Sequence, residues 1–246
     1  EPEHASVSFS LDDPMSEFTA SDIEPGPTSI SFRAHMSDEL RKSAFVTLQM
    51  PGVHNVYNAL AAIAAVTRVG VSFDAACKSV EKFTGIKRRF DIVGTTEAGI
   101  TVIDDFGHNP DKIGATLRTL HDFDGRLLVM FQPHGFGPLK KMRAEFVETF
   151  VNGLNDEDVL IMPQPVYFGG TVDRSVTSED LVGDIKTAGK QAEVFETRDE
   201  CGDRLVALAQ PGDRIIVMGA RDDTLSEFAA SVLSRVAGLA LEHHAV

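Results

Sequence analysis

The sequence predicts an α/β protein whose main part is a mostly parallel β-sheet with helices on both faces. From residue 90 onward, short apolar runs rich in Val and Ile alternate with segments of amphipathic helical pattern, which is typical of βαβ units. Residues 1–50 instead carry short alternating runs without a helical segment, which predicts a small β-meander. Two helical patterns follow the meander, so a meander and a helical pair precede the main sheet.

Composition and charge limit the classes of function. The 246 residues suffice for one large or two modest domains, and 43% apolar with 24% charged content is ordinary for a globular chain. A net charge of −14 argues against nucleic acid as the main partner. No apolar run is long enough for a bilayer, and the distant Cys77 and Cys201 match no metal spacing. We expect a cytoplasmic protein without nucleic-acid or membrane partners, and its oligomeric state stays open. Because the chain begins at Glu1 without Met, we also expect a fragment.

The first 86 residues are interpreted as one domain or part of one. Strands are expected at residues 3–10, 28–34 and 44–50, with solvated charged loops at 15–22 and 37–43. Helices are expected at 56–69 and 73–83, with Asn55 as the simplest cap of the first and His54 in the preceding loop. A basic cluster, Lys87-Arg88-Arg89, then marks a boundary. It is either a solvated turn or a hinge that offers guanidinium groups to phosphate.

Residues 87–246 are interpreted as a second domain with alternating elements. Asn109 is suited to cap the helix predicted at 110–122, and Pro110 is suited to its first position. The predicted strands are 91–94, 99–104, 126–131, 158–162, 192–195 and 213–218, and the predicted helices are 110–122, 138–153, 178–189, 199–209 and 223–237.

Polar side chains follow two of these strands. Asp104 and Asp105 end the strand at 99–104, His108 lies in the loop after it, and His134 follows the strand at 126–131. Ligands of open α/β sheets bind at the carboxyl ends of the strands, so we expect these loops to be neighbours around a site. The sequence contains no metal-ligand cluster, no G-x-x-x-x-G-K-[ST] phosphate loop and no G-x-G-x-x-G dinucleotide loop.

Several motifs together resemble those of the Mur ligases, which join amino acids to UDP-muramyl precursors of peptidoglycan with ATP. Residues 51–62, PGVHNVYNALAA, resemble the family segment G-x-H-N-x-x-N-x-L-A-A, and residues 85–90, GIKRRF, resemble its hinge. Residues 103–110, IDDFGHNP, resemble the D-D-Y-[AG]-H-H-P loop, and residues 131–134 match F-Q-P-H. Residues 217–220, VMGA, resemble the last strand and turn. The resemblance runs from about residue 44 to the end, and the alanine-adding and murein peptide ligases are the most similar subgroup.

The resemblance implies that residues 1–86 are the C-terminal part of the ATP-binding central domain and that 87–246 are the whole Rossmann-like C-terminal domain. It implies an ATP-dependent ligase that activates a UDP-N-acetylmuramate-type carboxylate as an acyl phosphate, which the amine of an amino acid or peptide attacks. ATP and Mg²⁺ are the implied cofactors, with the Mg²⁺ ligands expected mainly in the part of the central domain that this chain lacks. The chain by itself is expected to be inactive.

The resemblance also implies residue roles. Asn58, with His54 and Asn55 nearby, would meet the adenine, and Asp105 would hold the ribose hydroxyls. Catalytic roles fall to Arg89, which would approach the phosphates, and to His108, which with His134 would line the amine pocket.

The sequence departs from the alanine-adding ligases at the amine pocket. Gly135 and Pro138 stand where those enzymes carry two Arg that suit a carboxylate, Lys140 and Lys141 follow, and Asn109 replaces the second His of its loop. The identity of the amine is therefore not carried over.

Three alternatives stay open. One is a divergent ligase with a substrate outside peptidoglycan, and another is a non-catalytic Rossmann-type module that binds a nucleotide or small molecule. The third, a signalling receiver domain, is disfavoured because no Asp that could accept a phosphoryl group directly follows the strands that end at Phe131 and Met162.

Overall fold

The computed structural model describes residues 6–37, 41–166, 169, 171 and 173–242. The chain forms two compact units, one ending at Gly85 and the other beginning at Ile86.

The first unit packs two helices on a three-stranded antiparallel sheet. The sheet order is β1-β2-β3, with β1 at Phe18–Pro25, β2 at Ile30–Met36 and β3 at Lys42–Leu48. Helices α1, Val53–Arg68, and α2, Phe73–Val80, follow. Alternate residues of β2 are buried against apolar residues of the helices, because successive side chains of a strand point to opposite faces.

The predicted position of the first strand is wrong. Residues 6–10 contribute only an isolated bridge between Phe9 and Phe18, and residues 3–5 lie outside the described part. The strand is Phe18–Pro25, which overlaps the loop predicted at 15–22. An irregularity between Ser21 and Glu24, with a φ of 51° at Asp22, interrupts the pairing with β2. This bulge breaks the two-residue alternation from which a strand is predicted. In the other predicted loop, residues 38–40 are outside the described part and Lys42 already belongs to β3.

The start of α1 also differs from the prediction. The helix begins at Val53 instead of residue 56, and its cap is Gly52, whose φ of 95° suits glycine. Asn55 is therefore not the cap, and its side-chain amide donates to the Pro51 carbonyl at 2.7 Å. Helix α2 ends at Val80, three residues before the predicted end.

The second unit is a six-stranded sheet of order β4-β5-β9-β6-β7-β8. Its strands are Asp91–Thr95, Thr101–Asp105, Leu127–Gln132, Val159–Pro163, Gln191–Phe195 and Arg214–Gly219, numbered β4 to β9 in chain order. Only β4 runs antiparallel to its neighbour, so the predicted mostly parallel α/β sheet is confirmed. The helices are α3, Pro110–His121; α4, Phe136–Lys141; α5, Arg143–Gly153; α6, Ser178–Thr187; α7, Arg198–Leu208; and α8, Thr224–Glu242.

Helices cover both faces of this sheet. Apolar residues of α3, α5 and α6 form one core cluster with the sheet, and those of α7 and α8 form the other. The single helix predicted at 138–153 is two helices, because Met142 leaves helical geometry with φ −113° and ψ 23°. Asn109 caps α3 by accepting the Lys112 N–H at 3.0 Å, with Pro110 in the first turn, as predicted.

The two cysteines are buried in helices, Cys77 in α2 and Cys201 in α7. Burial raises the pKa of the Cys77 thiol to about 11 and that of the Cys201 thiol to about 12, so neither is a reactive thiolate near neutral pH. Across the described residues, every helix is too short or too polar to cross a lipid bilayer.

Candidate active site

The site lies at the edge of the second unit's sheet where β5, β9 and β6 end together. Asp105 of β5 pairs with Met218 of β9, and Gly219 of β9 pairs with Gln132 of β6. The loops that follow these strands are therefore neighbours, although the loops after β5 and β9 are more than 100 residues apart in the sequence. This edge is where ligands of open α/β sheets bind.

Asp105 is 7% exposed and is held by internal donors. Its Oδ2 accepts the Phe90 N–H at 2.8 Å, and its Oδ1 accepts the Gly107 N–H at 2.7 Å and the Thr116 hydroxyl at 3.3 Å. Burial raises the pKa of this carboxyl, although these hydrogen bonds oppose the shift. Among the described residues Oδ2 has a single donor, which leaves it capacity to accept a ligand hydroxyl.

His108 and His134 lie against each other. Their rings meet edge to face at 82°, with centroids 5.3 Å apart. The His108 Nδ1 is 2.9 Å from the Phe106 carbonyl oxygen, which can only accept, so we assign the proton to Nδ1 and the lone pair of the neutral ring to Nε2. Burial lowers the pKa of His134, with smaller contributions from His108 and Arg221, and this favours a neutral imidazole.

The two arginines of the basic cluster have different environments. Arg89 is exposed, and its guanidinium lies over the Phe106 ring at 5.4 Å. Arg88 is 5% exposed: its Nε is 3.1 Å from Asp104 Oδ1, and its Nη2 and Nη1 donate to the carbonyls of Gly219 at 2.8 Å and Asp222 at 3.0 Å. The interpretation of the cluster as a solvated turn is therefore wrong for Arg88.

Asp104 and Asp222 complete a network that the sequence analysis did not assign. Asp104 Oδ2 accepts the Ser226 hydroxyl at 2.7 Å. The Asp222 carboxylate accepts hydrogen bonds from Gln132 Nε2 at 2.8 Å and from Arg198 Nη1 at 3.0 Å. It also accepts one from the hydroxyl of Thr224, the first residue of α8. Burial alone would raise the pKa of Asp222, but these hydrogen bonds outweigh it and lower the pKa. The sequence had indicated Asp104 and the motif that contains Gln132, and it gave no signal for Asp222, Arg198 or Ser226.

After β6, a glycine and a proline occupy the two positions at which a pair of arginines could bind a carboxylate. Gly135, with φ 115°, caps α4, and Pro138 lies within that helix. Lys140 forms an ion pair with Asp173. Nearby, the Arg174 guanidinium lies over the Phe136 ring at 5.5 Å.

The residues assigned to adenine belong to the first unit. His54 and Asn58 are exposed on α1, and the Asn58 amide nitrogen is 3.5 Å from Asn55 Oδ1. No group of three or more His, Cys, Asp or Glu side chains within the described ranges is arranged to hold a metal ion.

Comparison with protein families matches most of the chain in two parts. Residues 88–221 match the family described as Mur ligase, glutamate ligase domain. Residues 1–66 match the Mur ligase middle domain.

Curated relatives and solved structures agree with these matches. A UDP-N-acetylmuramate–L-alanine ligase of Geotalea daltonii is 35% identical over 84% of this chain and 44% of its own length. One of Agrobacterium fabrum is 36% identical over 78% of this chain and 40% of its own. The chain thus spans less than half the length of these relatives.

Solved structures show the same fold. A UDP-N-acetylmuramate–alanine ligase from Thermotoga maritima covers 95% of the chain, with 48% of its own length aligned, a TM-score of 0.68 and 24% identity. A murein peptide ligase from Psychrobacter arcticus covers 93%, with 46% of its own length aligned, a TM-score of 0.58 and 26% identity. Because the glutamate ligase domain match alone spans more than half of the sequence, this chain belongs to the Mur ligase family.

Proposed function

We propose that this chain serves an ATP-dependent amide ligase that joins an amino acid or a peptide to a UDP-N-acetylmuramate-type carboxylate in peptidoglycan synthesis or recycling. The observation that carries the proposal is the series of contacting side chains Arg89, Phe106, His108 and His134 at one sheet edge. It places an exposed guanidinium, suited to phosphate, close to two imidazoles, suited to an amine. The curated relatives, which are named as ligases of this kind, support the same function.

In this proposal an oxygen of the substrate carboxylate attacks the γ-phosphorus of ATP, the bond from that phosphorus to the bridging oxygen breaks, and ADP leaves, which yields an acyl phosphate. The amine then attacks the carbonyl carbon, the bond from that carbon to the phosphate oxygen breaks, and an amide and phosphate result. Arg89 neutralises phosphate charge, and the Nε2 of His108 accepts a proton from the ammonium group, so that the neutral amine can attack. Positioning and charge neutralisation account for most of the catalysis.

The nucleoside is assigned to three amide or imidazole side chains and one carboxylate. Asn58, with His54 and Asn55, contacts the adenine, and the accepting capacity of Asp105 Oδ2 serves a ribose hydroxyl. The Mg²⁺ ligands are assigned mainly to the rest of the central domain, as the family resemblance implies. A cytoplasmic location is part of the proposal.

The test is an assay of the enzyme that carries this chain, with ATP, UDP-N-acetylmuramate and a panel of amino acids and short peptides. Phosphate release that requires both the sugar nucleotide and one class of amine is the expected result. Nucleotide binding without turnover on any amine would contradict the proposal and favour a non-catalytic binding module. Turnover only with a carboxylate outside this class would favour a divergent ligase.

Asn58→Ala tests the nucleoside assignments. Asn58 is exposed, so the variant should keep its stability and raise the KM for ATP, with a loss of about 0.5–1.5 kcal/mol for one hydrogen bond. Asp105→Ala should raise the KM and also lower stability, because three internal donors lose their acceptor. A fall in kcat with KM unchanged in both variants would contradict these assignments.

A further inference from the structure

Arg221 carries a guanidinium at the same sheet edge as the two histidines. Strands β6 and β9 are parallel neighbours, and Gln132 pairs with Gly219. His134 and Arg221 each stand two residues beyond this pair, so their loops leave the sheet side by side. The charge of Arg221 contributes to the lowered pKa of His134, which agrees with this placement.

The backbone holds Arg221 in an unfavourable conformation. Its φ of 58° lies in the left-handed region, where a glycine would be less strained. Arg88 fixes the loop on both sides by donating to the carbonyls of Gly219 and Asp222. Strained residues in a rigid loop occur where surrounding structure maintains a functional geometry.

The guanidinium of Arg221 is available to a ligand. Arg221 is exposed, and in the part of the chain that the structure describes it forms no ion pair. Two of the nearby carboxylates have other partners: Asp104 accepts from Arg88 and Ser226, and Asp222 accepts from Gln132 and Arg198. A third, Asp223, is exposed two residues after Arg221. The position therefore combines basic groups with two acids that are already paired, although the whole chain is acidic.

We propose that Arg221, beside His134 and His108, binds the carboxylate of the incoming amino acid or peptide. This inference rests on the proposed function and names the group that selects its substrate. A guanidinium offers two parallel donors that match a carboxylate, whereas Gly135 and Pro138 offer no side-chain donor. Lys140, the nearest alternative in sequence, is engaged with Asp173.

The first experiment measures ligand binding to the 246-residue chain by NMR of the histidine rings. The probes are acetate, glycine, glycinamide and inorganic phosphate. Acetate and glycine should shift the His134 signals in a saturable way, and glycinamide should not. No saturable effect of acetate or glycine would overturn the inference, and so would a phosphate effect that is stronger and equally dependent on Arg221.

The variants are Arg221→Gly, Arg221→Lys and, as a control for charge, Arg118→Ala at an exposed position of α3. Arg221→Gly should fold normally, because glycine accepts the φ at this position, and should weaken carboxylate binding about 10-fold or more. Arg221→Lys should retain part of the affinity, since a lysine supplies the charge without the two parallel donors of a guanidinium. Equal losses of carboxylate affinity in Arg221→Gly and Arg118→Ala would overturn the inference.

A second experiment separates this inference from the proposed function. In the whole enzyme, Arg221→Gly should lower kcat/KM for a carboxylate-bearing amine about 10-fold or more and leave that for its carboxamide unchanged. If no amine supports turnover, the proposed function fails, while carboxylate binding in the chain still decides the role of Arg221. If kcat/KM falls equally for the carboxylate-bearing amine and for its carboxamide, the inference fails and the ligase function stands.

Discussion

At the scale of single residues, Arg88 is the clearest structural determinant of the site. Its three donors reach the ends of β5 and β9 and the loop before α8, and its neighbour Arg89 is thereby held over Phe106. The Arg88–Asp104 pair has side chains 6% and 1% exposed, so both charges are desolvated. Removing one partner of such a pair lowers the free energy of unfolding strongly, because the other charge stays buried and unpaired.

Arg88→Met should therefore destabilise the second unit by about 3–5 kcal/mol. The measurement is urea unfolding followed by a probe in that unit, such as the fluorescence of an introduced Trp. Arg89→Met is the matched control, and because Arg89 is exposed its effect should stay within about 0.5 kcal/mol. Equal effects of the two variants would show that the buried ion pair contributes little.

His134 should make stability depend on pH. Its pKa in the folded chain lies below the ordinary 6.5, so between these two values the unfolded chain binds more protons than the folded one. Stability should therefore fall as the pH drops from 7 through 6.5 towards the lowered pKa. The quantity to compare is the pH slope of the unfolding free energy in the parent chain and in His134→Gln, which removes the titration. Identical slopes would contradict the lowered pKa.

At the scale of elements, the helix that follows β5 depends on a local cap. Asn109 accepts the Lys112 N–H and Pro110 begins the helix, so two adjacent residues set both the start of α3 and the end of the His108 loop. In contrast, α1 and α4 begin at glycines with positive φ, Gly52 and Gly135, without a side-chain cap.

Asn109→Ala should lower stability by about 0.5–2 kcal/mol, because a helical N–H loses its acceptor. Asn109→Asp should be nearly neutral, since Asp caps as well as Asn. Thermal unfolding of the three proteins provides the comparison. A neutral Asn109→Ala would mean that packing of α3 on the sheet defines the helix start without the cap.

At the scale of the whole molecule, the chain combines two units that match different domains of one ligase family. It has no phosphate-loop motif, and it spans less than half the length of the curated relatives. The 246-residue chain alone should therefore release no phosphate from ATP, with or without amine and sugar nucleotide. Steady turnover by the purified chain, resistant to further purification and lost in Arg89→Ala, would contradict this expectation.

The sequence by itself determined the features that depend on neighbours along the chain. The alternation of strands and helices, the Asn109 cap and the polar ends of β5 and β6 are local patterns, and they predicted the α/β class and the loops of the site. The first strand was predicted at the wrong position, because the irregularity at Ser21 to Glu24 interrupts the alternation of its side chains.

Only the tertiary structure decided which distant residues meet. The last strand, β9, inserts between β5 and β6, and this brings Arg221 beside His134 and allows Arg88 to bond Gly219, 131 residues away. Nothing in the residues around Arg88 distinguishes it from the exposed Arg89, since burial depends on where the completed sheet places each side chain. The free energy of desolvation selects the partners of a buried charge, and those partners are set by sheet order and not by spacing in the sequence.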